Sequence, residues 1–139
     1  WGRPDMLIFK YLKKNIENKK FYLNANGKHY RDFTYIDDVV KILIKLNKVK
    51  FKYKHEIFNI CSNKPQKIIS VINKINKIKK NFKYFPSKSK NLKKIEVNKT
   101  HGNNKKILLI IKKFKFTNFD IALENTILWY QKNKINQIT

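Results

Sequence analysis

Apolar residues recur at helical spacing in four separate stretches of this chain, and short runs of β-forming residues lie between them. Met6, Leu7, Phe9, Tyr11, Leu12 and Ile16 mark the first stretch, with Pro4 tolerated in its first turn. Val39, Val40, Leu43 and Ile44 mark the second and Ile68, Ile69, Ile72 and Ile75 the third. Phe119, Leu123, Ile127 and Tyr130 mark the last. Helices alternating with short strands predict an α/β unit, or an α+β unit if the chain stands alone. At 139 residues it has room for one domain, spanning 1–139, with no linker or internal repeat to divide it.

The segments between the stripes add detail. Asn26-Gly27 lies between two β-rich runs in "FYLNANGKHYRDFTYI", the dipeptide best suited to a tight hairpin turn. Asp37 and Asp38 precede the second stripe, where carboxylates suit the positive end of a helix. "EIFNICS" reads as a strand, and the turn at Ser62–Pro65 leads it into the third helix. Residues 86–104 are polar and aperiodic and are expected to form a long loop, whereas "ILLIIKKFKF" fits strand or buried helix equally.

The formal net charge of +24 turns attention to nucleic acid or an anionic surface. Composition weighs against that reading. Of the 33 basic residues 31 are lysine, and with 18 asparagines and 20 isoleucines they make up half the chain, as an A/T-rich coding sequence would impose. Arginine, which reads guanine and phosphate through paired donors, is almost missing. Cys61 is the single cysteine, so neither an intrachain disulfide nor a cysteine zinc cluster is possible, which suits a reducing, cytoplasmic setting. No apolar run is long enough to span a bilayer.

Chemistry-bearing motifs are few. The three glycines, Gly2, Gly27 and Gly102, stand too far apart for a dinucleotide or triphosphate loop. His29, His55 and His101 lack metal-ligand spacing, so no metal site is expected, and Cys61 in an apolar run reads as a small packed hydrophobe. Trp129 and Tyr130 read as core anchors. Arg3, in "WGRPD", and Arg31, in "KHYRDFTYIDD", stand out against the lysines, because a guanidinium offers a rigid fork to carboxylate or phosphate that an ammonium cannot copy. By residue chemistry alone they are two candidate anion-binding groups, with chance survival in a lysine-rich chain as the alternative.

"WGRPDM", "RDFTYIDD", "FNICSNKP" and the closing "ILWYQKN" resemble, in order, the C-terminal part of extended short-chain dehydrogenase/reductases of the NAD-dependent epimerase/dehydratase family. Within it the likeness is to UDP-glucuronate 4-epimerases. The resemblance implies the substrate-binding portion of such an enzyme, with the NAD cofactor and the catalytic tyrosine on a Rossmann half that this stretch lacks. "WGRPDM" would then be an interior loop entering the substrate cap. A homodimer is the implied assembly, a UDP-sugar the implied ligand, and the chain alone is expected to catalyse nothing. Arg31 matches the family arginine on the UDP diphosphate, and Arg3 one near the uronate carboxylate. Asp37 and Asp38 match capping and structural positions. Where relatives carry an Arg-Pro-Gly-Asp-like stretch this chain reads Lys88, Ser89, Lys90, Asn91, so Lys88 and Asn91 are the expected substitutes for its nucleotide contacts. Cys61 stands where relatives have glycine. Open alternatives are a UDP-glucose 4-epimerase or nucleotide-sugar dehydratase piece, a basic nucleic-acid module, and a decayed, non-functional remnant.

Overall fold

The structure, a computed structural model, describes residues 5–87 and 97–133. Among these, five α-helices, α1 (Leu7–Ile16), α2 (Ile36–Leu46), α3 (Ile68–Ile78), α4 (Lys105–Ile111) and α5 (Phe119–Lys132), alternate with four two-residue strands. The strands are β1 (Tyr22–Leu23), β2 (Tyr30–Arg31), β3 (Gln66–Lys67) and β4 (Phe85–Pro86). The mixed helix and strand class expected from the sequence is the one observed.

The strands do not pair as neighbours in sequence. β1 runs parallel to β4, with Tyr22 opposite Phe85, while β2 runs antiparallel to β3, with Tyr30 opposite Lys67 and Arg31 opposite Gln66. The predicted hairpin is therefore corrected. Ala25, Asn26 and Gly27 do take positive φ values of 45°, 50° and 67°, but they close a 3-10 turn that sends the two runs to different partners. Gly27 is required there twice over, since a Cβ would also lie 2.8 Å from the Ile69 nitrogen.

Two apolar clusters form. The first gathers Tyr11 and Leu12 of α1, Phe21, Leu23 of β1, Ile68, Val71, Ile72 and Ile75 of α3, and Leu123, Ile127 and Tyr130 of α5. The stripes on α3 and α5 thus face inward as their spacing predicts. Burying one such aliphatic chain stabilises by roughly 1.5–3 kcal/mol, so α3, with four, is the helix on which this core depends. The second cluster is smaller and joins Ile42 of α2 to Ile107 and Ile111 of α4, with Phe58, Ile60, Phe114 and Phe116 packed against it.

Three stretches of the sequence are decided around that second cluster. α2 forms as its stripe predicts, but it turns Ile42 inward and leaves Val40, Leu43 and Ile44 of that stripe exposed. "EIFNICS" pairs with no strand among the described residues, although exposure alternates along it, with Ile57 out and Phe58 and Ile60 packed. The ambiguous "ILLIIKKFKF" divides into helix α4 and an irregular run through Phe114 and Phe116.

Asp37 and Asp38 lie in the first turn of α2, but Tyr35 is its N-cap residue and no side chain caps it. Asp38 is instead a tie between elements. Its buried carboxylate accepts from the Thr117 backbone N–H at 2.9 Å and from the Thr117 hydroxyl at 2.8 Å, fixing α2 to the start of α5. Of the segment 86–104, Pro86 closes β4, Lys99 bridges Tyr30, and 88–96 lie outside the described residues.

Candidate functional site

A cleft of about 1110 Å³ opens between α1, β2, the start of α2, and α5. One side is aromatic: Phe33 and Phe119 meet at a tilt of 48° with centroids 5.7 Å apart, and Phe9 meets Trp129 edge-on at 6.4 Å. Trp129 therefore stands 38% exposed on the cleft wall, whereas its neighbour Tyr130 is the core anchor that the sequence suggests. Lys74 and Asp120 form an ion pair at the rim, with the ammonium 5.4 Å from the centre of the Phe119 ring.

The other side is polar, and Arg31 lies in it. β2 is held between β3 and residues 98–100, because the Tyr30 N–H donates to the Asn98 carbonyl at 2.8 Å and the Thr100 N–H to the Tyr30 carbonyl at 3.1 Å. Arg31 Nη1 donates to the Tyr30 carbonyl at 2.8 Å and the Val97 carbonyl at 2.6 Å, so two backbone atoms help to orient the guanidinium. Lys64, Gln66 and Thr100 line the same wall.

Asp32, which belongs to no motif in the sequence, organises this wall. Its carboxylate accepts from the Ser62 hydroxyl at 2.5 Å and from the backbone N–H groups of Asn63, at 3.1 Å, and Gly102, at 3.0 Å. The Thr100 hydroxyl lies 3.2 Å from the Asp32 N–H, which donates to it. One carboxylate in the cleft lining, next to Arg31 in the chain, therefore gathers the loops at 62–63 and 102. Its only sequence signal was its place beside Arg31.

Of the other candidates, Arg3, Lys88 and Asn91 lie outside the described residues, so Arg31 is the one predicted site residue located in the cleft. His101 bonds Asn63 at 2.6 Å, and His29 is buried on the cleft wall. No group of three or more metal-ligating side chains occurs among the described residues. Cys61 is buried, its thiol pushed up by desolvation and then by the nearby Asp32 carboxylate, as suits a packed residue and not a nucleophile.

The described residues do not fit a dinucleotide cradle. Gly27 is buried against Ile69, and at Gly102 a Cβ would meet the Cys61 sulfur at 2.4 Å, so neither glycine opens a backbone turn to a pyrophosphate. No helix among the described residues is long and apolar enough to cross a membrane.

Residues 2–61 match the NAD dependent epimerase/dehydratase family. A UDP-glucuronate 4-epimerase of Thermodesulfobacterium geofontis is 28% identical over 136 residues, which are 95% of this chain and 40% of that protein. A probable UDP-glucuronate 4-epimerase of Rhizobium meliloti is 41% identical over 49 residues, 35% of this chain and 14% of its own length. The fold matches that of the Bacillus cereus UDP-glucuronic acid 4-epimerase, solved with UDP-glucuronic acid and NAD, at a TM-score of 0.79 and 23% identity, over 94% of this chain and 41% of that one. The chain thus spans about two fifths of the length of the relatives it matches along most of its own length. Sequence over residues 2–61 and fold over most of the chain agree that it is related to the NAD dependent epimerase/dehydratase family, with UDP-glucuronate 4-epimerases among its relatives.

Proposed function

We propose that this chain is the substrate-binding part of an NAD-dependent nucleotide-sugar epimerase acting on UDP-glucuronate. The observation that carries the reading is Arg31: it is one of only two arginines in the sequence, and it lies in the wall of the large cleft with its guanidinium oriented by two backbone carbonyls. A guanidinium held in this way suits a diphosphate, which takes two parallel N–H donors. Phe33, Phe119 and Trp129 offer flat apolar surface for the remainder of a nucleotide sugar. Arg3 is assigned to the uronate carboxylate, and Lys88 and Asn91 to the nucleotide in place of the usual arginine and aspartate. Inversion at C4 through a 4-ketone requires the redox chemistry of NAD, which a partner or a further part of the same protein must hold. The isolated chain binds and positions substrate without turning it over.

Calorimetric titration with UDP tests this. Removing a charged hydrogen-bond donor costs roughly 1.5–3 kcal/mol, about ten- to a hundredfold in affinity. Arg31→Ala is expected to weaken UDP binding by that factor and Arg31→Lys to restore part of it, while Lys48→Ala, on an exposed lysine outside the cleft, leaves it unchanged. Equal effects of Arg31→Ala and Lys48→Ala would overturn the proposal and favour a non-specific anion-binding surface.

A further inference from the structure

Asp32 puts a carboxylate into the lining of a cleft read above as an anion site, where it would repel the ligand unless donors already occupied it. Both of its oxygens are occupied. Oδ1 accepts from the Ser62 hydroxyl at 2.5 Å and the Lys64 N–H at 3.4 Å, and Oδ2 accepts from the N–H groups of Asn63 at 3.1 Å and Gly102 at 3.0 Å. Oδ2 therefore bridges the turn at 62–64 to the segment that reaches Gly102. Two further contacts join the same segments, since the Asn104 amide donates to the Cys61 carbonyl at 2.9 Å and His101 Nε2 lies 2.6 Å from Asn63 Oδ1. Between them Asn63 is held at a φ of 58°, a left-handed conformation that a non-glycine residue keeps where its neighbours enforce it.

The residue that this scaffold presents is Lys64. Among the described residues three lysines line the cleft, of which Lys10 stands on α1 and Lys74 is paired with Asp120. Lys64 lies two residues before Gln66, which faces Arg31 across the β2–β3 pair. Its backbone is fixed on both sides: the N–H is shared between Asp32 and, at 3.2 Å, the Ser62 hydroxyl, and the carbonyl accepts from the Gln66 amide at 3.0 Å. We propose that Lys64 is a second cation for the anion that Arg31 binds, and that Asp32 is the positioning residue for both. It holds the turn that presents Lys64 and, through Gly102, the segment whose Val97 carbonyl receives the Arg31 guanidinium. The proposal rests on the reading of Arg31 given above and adds to it a residue from a different loop. The planar guanidinium orients the anion, and the ammonium, a point charge, neutralises it.

With only two arginines in the chain, the Arg31 Nε–Hε resonance, assigned by its loss in Arg31→Lys, reports on this wall directly. It is followed by NMR during titration with inorganic pyrophosphate at about physiological ionic strength, where charges beyond about 8 Å are screened. Lys64→Gln is expected to raise the midpoint severalfold, and Lys48→Ala, outside the cleft, to leave it unchanged. Asp32→Ala is expected to raise it about tenfold even though it removes a negative charge, and Asp32→Asn, whose amide oxygen can keep the bridge from Asn63 to Gly102, to raise it less. Combining Asp32→Ala with Lys64→Gln should give less than the product of the two losses, because one acts through the other. A purely structural Asp32 would instead lower the Tm while the midpoint stayed the same or fell. That result would overturn the proposal, as would equal effects of Lys64→Gln and Lys48→Ala, fully multiplicative losses, or no saturable shift in the unaltered chain. Should Asp32→Ala not unfold cooperatively, Lys64→Gln against Lys48→Ala and the midpoint of Asp32→Asn decide, an unchanged midpoint in both Lys64→Gln and Asp32→Asn being the contrary result. Pyrophosphate has neither base nor sugar, so its capture without capture of UDP would count against the nucleotide-sugar reading and leave the pair of cations standing.

Discussion

Gly102 and Cys61 occupy one another's space, and this contact is the most sensitive packing detail near the cleft. A Cβ at position 102 would lie 2.4 Å from the Cys61 sulfur and 2.7 Å from its Cβ. Overpacking of this kind costs about 1–3 kcal/mol. Gly102→Ala is therefore expected to lower the urea midpoint with no change in slope, and adding Cys61→Gly to recover part of the loss; additive losses would contradict the contact. Buried hydroxyls give a second expectation. Tyr11 donates to Asn76 at 2.6 Å, whereas Tyr130 has no hydrogen-bond partner among the described residues, and burial raises both phenols and the Cys61 thiol above their ordinary values of 10.0 and 9.0. A raised folded-state value means that the fold prefers the protonated form. Stability is then full below pH 9 and falls as pH climbs through and beyond the ordinary values. Denaturant titrations at neutral and alkaline pH should show that fall, with a smaller one in Tyr130→Phe; an identical fall in the variant would contradict the assignment. Arg31 was legible from composition, because arginine is scarce here. Asp32 was not, because its partners Ser62 and Gly102 lie 30 and 70 residues away, beyond what local spacing reports.

Among the elements, α3 was readable because its apolar residues gather on one face, whereas on α5 the spacing of Leu123, Ile127 and Tyr130 marked the buried side although Ile121 and Leu128 are exposed elsewhere on the helix. α2 defeated the same reasoning for a physical reason. With apolar residues on both sides, periodicity identifies a helix but cannot say which side turns inward, and the deciding contact, Ile42 against Ile107, is 65 residues distant. The hairpin failed likewise: positive φ at Asn26 and Gly27 is a local property, whereas the choice of β3 and β4 as partners is a tertiary one. What orients α2 is testable through Asp38. Asp38→Ala leaves the Thr117 N–H without its acceptor and should cost about 1.5–3 kcal/mol, with Asp38→Asn retaining part of it. A loss no larger than that of Asp37→Ala, on the exposed first turn, would show that the tie between α2 and α5 does not orient the helix.

At the scale of the molecule, two small cores hold a cleft that is aromatic on one side and carries an oriented guanidinium on the other. The net charge of +24 would attract anions anywhere on the surface, whereas the proposed site would select by geometry. Specific and diffuse anion binding therefore predict different footprints. The most direct measurement is a two-dimensional amide NMR titration of the chain with UDP-glucuronate at about physiological ionic strength, where surface charges are screened beyond about 8 Å. The expected result is saturable shifts confined to β2, residues 62–66 and 97–102, and the cleft face of α5 around Trp129. Shifts scattered over exposed lysines, without saturation and abolished by added salt, would contradict a nucleotide-sugar site in this cleft.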